Sequence, residues 1–315
     1  MLARLVPWLR SPSTLRGMGW MFVSTVFVGI FNSMVRHLTT TLHPFEIAFA
    51  HSLFGLLFLL PMLYRNGWKT LRTTRPGLHA WRGVCNTLAT LCMTSAIKLT
   101  PLAKVAALSF SAPLFATVLA LVALREALRA RRIAALVVGF SGTWLVFRPG
   151  VVDVDLGSLL VLGFAFSWGA TMIAIKALSR TDSTLTITLY VGLINTPLTL
   201  IAAIPVWQTP TPEEWIWLAS LGLVGLARQM SLSQAFKEAD ATAILPLDFL
   251  KLPWMALIGF FAFAEVPDVW TWVGGAVIFA AATTIAYRES QARGETPRAA
   301  VASAGSTTPP PAPGS

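Results

Sequence analysis

The chain has 315 residues, of which 55% are hydrophobic and only 12% charged, and its formal net charge is +10. A soluble domain carries roughly 25% charged residues to wet its surface, so this composition excludes a water-soluble globular protein. The positive excess does not signal nucleic-acid binding either, because the charges lie between apolar blocks.

Each apolar block is about 20 residues long, the length that crosses ~30 Å of hydrocarbon at 1.5 Å per residue. Taken in chain order, the predicted spans are 18–38, 44–64, 79–98, 101–123, 132–148, 157–178, 184–204, 215–236, 242–264 and 269–287. Residues 1–16 are expected as a cytoplasmic N-terminal segment, and the Arg-bearing start is read as part of the first span's flank rather than a cleaved leader. Only the links at 65–78 and 205–214 are long enough to be loops. The segment 289–315 is rich in Pro, Ala, Ser, Thr and Gly, and is expected to be a disordered cytoplasmic tail. Cys85 and Cys92 lie in one block and read as packing residues, without a disulfide or a metal site.

Charge sets the orientation. With a cytoplasmic N-terminus, sixteen of the 24 lysines and arginines fall on the inside, among them Arg65, Lys69, Arg72, Arg75, Arg125, Arg129 and Arg180. The opposite links hold Arg148 beside Asp153, Asp155, Glu213, Glu214, Glu265 and Asp268. This asymmetry is the positive-inside rule, and an even number of spans puts both termini inside.

A shift of 140 residues lays Gly17, Gly29, Arg36 and Leu38 on Gly157, Gly169, Lys176 and Leu178, and Ala103, Pro113 and Ala116 on Ala243, Pro253 and Ala256. One residue fewer brings Glu126 onto Glu265. The expected architecture is therefore an all-α membrane protein of ten transmembrane helices, built as two inverted five-helix repeats over 17–148 and 157–288. An odd number of spans per repeat turns the second half over, and inverted repeats are how carriers form two gates around one site.

The stretch TPLAKVAALSFSAPLFATVLALVALREAL (100–128) resembles the first-repeat signature of EamA-type carriers in the drug/metabolite transporter superfamily. EADATAILPLDFLKLPWMALIGFFAFAEVPDVWTWVGG (238–275) resembles the second. The resemblance implies ten helices with both ends cytoplasmic, a central cavity lined mainly by spans 1, 3, 4, 6, 8 and 9, and export or exchange of small metabolites. Relatives often carry Arg where this chain has His51, and an acidic or neutral residue where it has Lys104.

Basic residues sort by depth. Arg36, Lys98 and Lys176 lie near span ends, where long side chains reach the headgroups. Arg82 and Lys104 lie about three residues inside, placed to line a cavity mouth. Arg228 and Lys251 lie near mid-span, where a charge costs at least about 2.5–3.5 kcal/mol and calls for a wet cavity or a partner. Asp248 stands three residues before Lys251 on the same helix face and could pair with it.

Polar candidates complete the expected substrate-binding set. Arg82, Asn86 and Thr90 form a stripe along span 3, and Ser111 is the repeat counterpart of Lys251. Asn32 lies one turn from Gly29, and Trp168 is next to Gly169. Any one of these reads first as packing or helix–helix hydrogen bonding rather than substrate contact. Pro113 and Pro253 are the expected conformational residues, since each removes an amide donor and frees the carbonyl of Ser109 or Phe249.

Enzyme signatures such as G-x-S-x-G, H-E-x-x-H or a phosphate-binding loop are missing from the sequence, and no cofactor is expected. The expectation is a secondary transporter moving a small polar metabolite, anionic or zwitterionic, across the cytoplasmic (inner) membrane by alternating access. The expected partners are the small-molecule substrate and the lipid bilayer, and no nucleic acid; a coupling proton or counter-substrate and a homodimer stay open. The alternative is a membrane receptor or scaffold that binds a ligand without moving it.

Overall fold

The computed structural model describes residues 14–124, 130–147, 155–178, 181–239 and 244–304. Among them the secondary structure is helical throughout: α1 (Thr14–Leu38), α2 (Pro44–Asn66), α3 (Pro76–Leu99), α4 (Leu102–Ser109), α5 (Ala112–Leu124), α6 (Ala130–Phe147), α7 (Leu156–Leu178), α8 (Thr184–Ala203), α9 (Pro212–Glu238), α10 (Lys251–Phe263) and α11 (Val269–Ala304). Short 3-10 turns precede α3, follow α8 and precede α10.

Local chemistry sets the ends. Pro44, Pro76 and Pro212 occupy first helical turns, where the missing amide proton costs nothing. Thr211 and Glu214 form a capping box that opens α9, and the Ser183 hydroxyl accepts the Thr186 amide at α8. Gly67, at φ 76°, closes α2 in a backbone conformation that L side chains rarely adopt.

Five helical stretches are long and apolar enough to cross a bilayer: Thr14–Leu38, Pro44–Asn66, Leu102–Leu121, Leu156–Ile175 and Leu185–Val206. Ile133–Phe147 and Val269–Ile285 are shorter apolar helices. Large apolar side chains such as Tyr64, Trp144, Ile216 and Phe261 stand exposed on the outside. In water that surface would aggregate; in hydrocarbon it is solvated, and backbone groups are satisfied within each helix.

The helices pack in matched pairs. α1 packs along α9 and α3 along α7; α1 also meets α10, and α7 meets α5. α2 lies on α8 and α6 on α11. Close approach is bought with glycine. A Cβ on Gly17 would lie 2.3 Å from the Cβ of Ala239 on the α9 side, and one on Gly157 would lie 2.0 Å from Thr100 Oγ1 at the end of α3. Gly29 sits against Trp254 and Ile258 of α10, and Gly169 against Ala112, Phe115 and Ala116 of α5. These are two of the pairs that the 140-residue shift aligns.

The fourth predicted span is not continuous. α4 ends at Ser109, and two tight bonds, Phe110 N to Ala107 O at 3.3 Å and Ser111 N to Leu108 O at 3.0 Å, turn the chain into α5. In the ninth span a 3-10 turn over Leu245–Leu250 leads into α10. Pro113 and Pro253 therefore lie in the first turn of a second half-helix, not in the middle of a kinked one. First-turn amides have no intrahelical acceptor, so proline fits there without loss.

At the far end, α11 continues through Ala304, past the point where the composition predicts disorder. Its Glu, Gln, Arg and Ala residues are good helix formers. Residues 305–315 and 1–13 lie outside the described residues.

Candidate functional site

The site is built around α1. On one side, Ser24 Oγ donates to the carbonyl of Arg228 on α9 at 3.4 Å, which registers the two helices. The Arg228 guanidinium then lies 4.9 Å from the Phe31 ring centroid. His51 of α2 meets Phe31 edge-on at 4.8 Å. Gly225, one turn before Arg228, makes room for His51, since a Cβ there would lie 2.7 Å from its Cε1. Arg228 Nε and His51 Nδ1 are both buried without a hydrogen-bond partner.

No carboxylate pairs with Arg228 among the described residues. A face-on aromatic ring offers a cation roughly 0.5–2 kcal/mol, less than its cost at mid-membrane depth.

On the other side of α1, the Asn32 side-chain amide donates to Val28 O at 2.8 Å and touches Met255 Sδ of α10 at 3.6 Å. Phe31 and Asn32 are consecutive, so the guanidinium and Met255 share one depth. Lys251 begins α10 four residues earlier, about 6 Å along the axis. Its Nζ is 2.8 Å from Asp248 Oδ2 and 4.2 Å from the Phe110 ring centroid. The expected pair is present and neutralises Lys251, whereas Arg228 has no such partner among the described residues.

Other candidates are engaged elsewhere. Arg82 donates from Nη1 to the carbonyl of Ile187, tying α3 to α8. Asn86, one turn further, is half-buried, and its carbonyl accepts the Thr90 hydroxyl at 2.8 Å. Ser111 is fully buried and donates to Leu108 O at 2.6 Å, bonding its own chain break rather than facing a hollow. Trp168 stacks on Phe164 at 6.2 Å.

Lys104 Nζ lies 2.6 Å from Asp155 Oδ1, and Thr100 Oγ1 donates to Asp155 Oδ2 at 2.6 Å. Asp155 also accepts the amide and hydroxyl of Ser158, opening α7. Burial alone would favour the protonated form of Asp155. The bonds from Lys104, Ser158 and Thr100 outweigh it and hold the carboxyl well below the usual range. Lys104 is thus bound into a helix-end cluster rather than open at a cavity mouth.

Arg36 does not reach for headgroups. Its guanidinium lies 2.8 Å from Glu265 and donates to the carbonyls of Ile97 and Lys98. Lys176 has no described side chain, and Glu126 lies outside the described residues, so the counterpart of this pair in the other half is not seen.

The sequence marks His51 only as a position where relatives often carry Arg, and does not single out Phe31. His51 carried a faint signal as an ionisable side chain within an apolar run; Phe31 carried none.

The EamA-like transporter family model matches residues 15–148 and again 155–287. The S-adenosylmethionine uptake transporter of Rickettsia felis is 32% identical over 278 residues, covering 88% of this chain and 95% of the relative. The riboflavin transporter of Vibrio cholerae is 31% identical over 269 residues, covering 84% and 90%. One crystal structure, 19% identical, superposes with a TM-score of 0.56 over 86% of this chain and 96% of its own length. That likeness concerns fold alone.

Proposed function

This chain belongs to the EamA-like transporter family, and from that premise we propose that it is a secondary carrier for a small zwitterionic or anionic metabolite bearing a carboxylate. The observation that carries the charge assignment is Arg228, a guanidinium at mid-depth with a free Nε and no carboxylate partner among the described residues. In a poorly solvated interior a cation attracts an anionic group several-fold more strongly than in water. Arginine also presents two parallel donors in a fixed fork that matches a carboxylate.

The relatives narrow the cargo. S-adenosylmethionine and riboflavin, named for the two relatives, both join a flat heterocycle to a polar chain, but only the former bears a carboxylate. Arg228 therefore favours a cargo with an amino-acid end like that of S-adenosylmethionine, whose carboxylate and ammonium form a zwitterion beside its further sulfonium charge. The aromatic faces of Phe31 and Phe110 near the two cations suit a flat ring.

Movement is read as alternating access between two inverted five-helix repeats in the inner membrane, with both termini cytoplasmic. Supporting this reading are the matched helix pairs, α1 on α9 and α3 on α7, with glycines at equivalent contacts, and the two successive family matches. The test is counterflow in proteoliposomes. Labelled S-adenosylmethionine should accumulate against an excess of unlabelled compound inside, and external riboflavin should not compete. Saturable binding without counterflow would instead favour a receptor.

A further inference from the structure

The Asp248–Lys251 pair has surroundings that an ordinary structural bridge does not need. Phe110, which lies beside the Lys251 ammonium, clusters with Phe249 and Phe279, with centroids 5.6 Å (Phe110–Phe249), 5.3 Å (Phe110–Phe279) and 4.9 Å (Phe249–Phe279) apart. The Lys251 ammonium lies 4.2 Å over one of these rings while it touches the carboxylate. A carboxylate beside aromatic faces is the chemistry that receives an organic cation, because the ring quadrupole and the negative charge both attract it.

The pair is also accessible. At mid-span, Asp248 keeps 32% of its side-chain exposure and Lys251 keeps 17%. Asp248 belongs to the 3-10 turn and Lys251 to the first position of α10, so the pair lies across the junction of the two. Lysine is a point charge on a four-carbon stem with rotatable donors, so it can swing away without dismantling a fixed fork.

We infer that Asp248, Phe110 and Phe249 form a receptor site for the cationic centre of the transported molecule, an ammonium or sulfonium group, and that Lys251 is the resident counter-ion this group displaces. The inference rests on the carrier reading and deepens it: Arg228 takes the carboxylate on one side of α1, and this site takes the cation on the other. Displacement keeps Asp248 compensated, and the Lys251 ammonium that it frees, which retains 17% of its side-chain exposure, must be taken up by water, so the exchange takes place in a hydrated site.

The test uses the full chain in lipid nanodiscs and tetramethylammonium as the probe, followed by saturation-transfer NMR, with tert-butanol as the neutral control of similar shape. Removing the resident cation should open the site, so Lys251→Met and Lys251→Gln should each bind tetramethylammonium at least about five-fold tighter than the wild type. Asp248→Asn should abolish that binding, and Phe249→Leu in the Lys251→Met background should reverse the gain. A melting temperature lowered by Lys251→Met should be restored by millimolar tetramethylammonium. If either folded Lys251 variant binds the probe no tighter than the wild type, Lys251 is a structural partner and the inference fails. The titration involves no anion, so it stands or falls separately from the role of Arg228.

Discussion

Arg36, near the end of α1, and Glu265, just beyond α10, form an ion pair at 2.8 Å between residues 229 positions apart. The other Glu265 oxygen accepts the amide of Leu102 at 2.7 Å, at the start of α4. Arg36 in turn holds the terminal carbonyls of α3 at Ile97 and Lys98. One pair of side chains therefore ties four helix ends from both halves of the chain. The backbone assists: Ala264, at φ 54°, ends α10 in the left-handed region and turns Glu265 back over Gly259.

Loosening that knot should open this end of the molecule. Glu265→Gln keeps the shape but removes the charge, at a cost of about 1–3 kcal/mol for a buried charged bond. The shift in population should be roughly ten-fold per 1.4 kcal/mol. A cysteine placed at Thr100, in a background with Cys85 and Cys92 replaced by alanine, should then react with a membrane-impermeant maleimide added from outside at least several-fold faster. Unchanged labelling would mean that the pair is not what closes this end.

What the sequence discloses depends on the range of the interaction. Apolar blocks reveal the helices because the bilayer acts on each segment separately. The contacts of Gly17 and Gly157 are legible as a repeat because close helix approach permits only a hydrogen at Cα. Arg228 is legible because its depth alone makes its charge expensive. The breaks at Phe110–Ser111 and Leu245–Leu250 are not, since a proline fits a kink and a first helical turn equally well. Arg36 reads as a headgroup-seeking residue because its partner lies 229 positions away. His51 gains its meaning only where Gly225 lets α2 approach α9.

Orientation can be checked directly. In the same cysteine-free background, Thr74→Cys should be labelled only by reagent on the cytoplasmic side, and Thr209→Cys only from the opposite side. Both positions are exposed, so reactivity is not limited by burial. Labelling of both from one side would overturn the inverted-repeat reading.

Pro113 and Pro253 lie just after the two breaks. Alanine at either position restores an amide donor and lets the helix extend backward through the turn. Turnover should slow by about ten-fold if the transition state then costs an extra ~1.4 kcal/mol, while ligand affinity stays within about two-fold. The check is initial uptake rate in proteoliposomes alongside equilibrium binding on the same preparation. Equal rates in both variants would make the breaks architectural only.

Arg228 carries the sharpest prediction. Its guanidinium rests on Phe31, its Nε is unbonded, and the Asp248–Lys251 pair is internally neutral. On the proposed reading, removing the guanidinium leaves a carboxylate that enters beside Phe31 desolvated without the donor fork that would receive it. Arg228→Ala should therefore lower uptake of a carboxylate-bearing substrate by at least about 100-fold, since two charge-assisted bonds at 1.5–3 kcal/mol each are lost. Arg228→Lys should recover only part of it, because an ammonium supplies the charge but not the planar fork. Folding is controlled by an unchanged elution profile and melting transition. Phe31→Leu removes the aromatic face without touching the charge and should cost less, about three- to ten-fold, as befits a cation–π contact of about 1 kcal/mol. Wild-type uptake by a well-folded Arg228→Ala protein would remove the site from this position, and a cargo lacking any anionic group would remove its electrostatic basis.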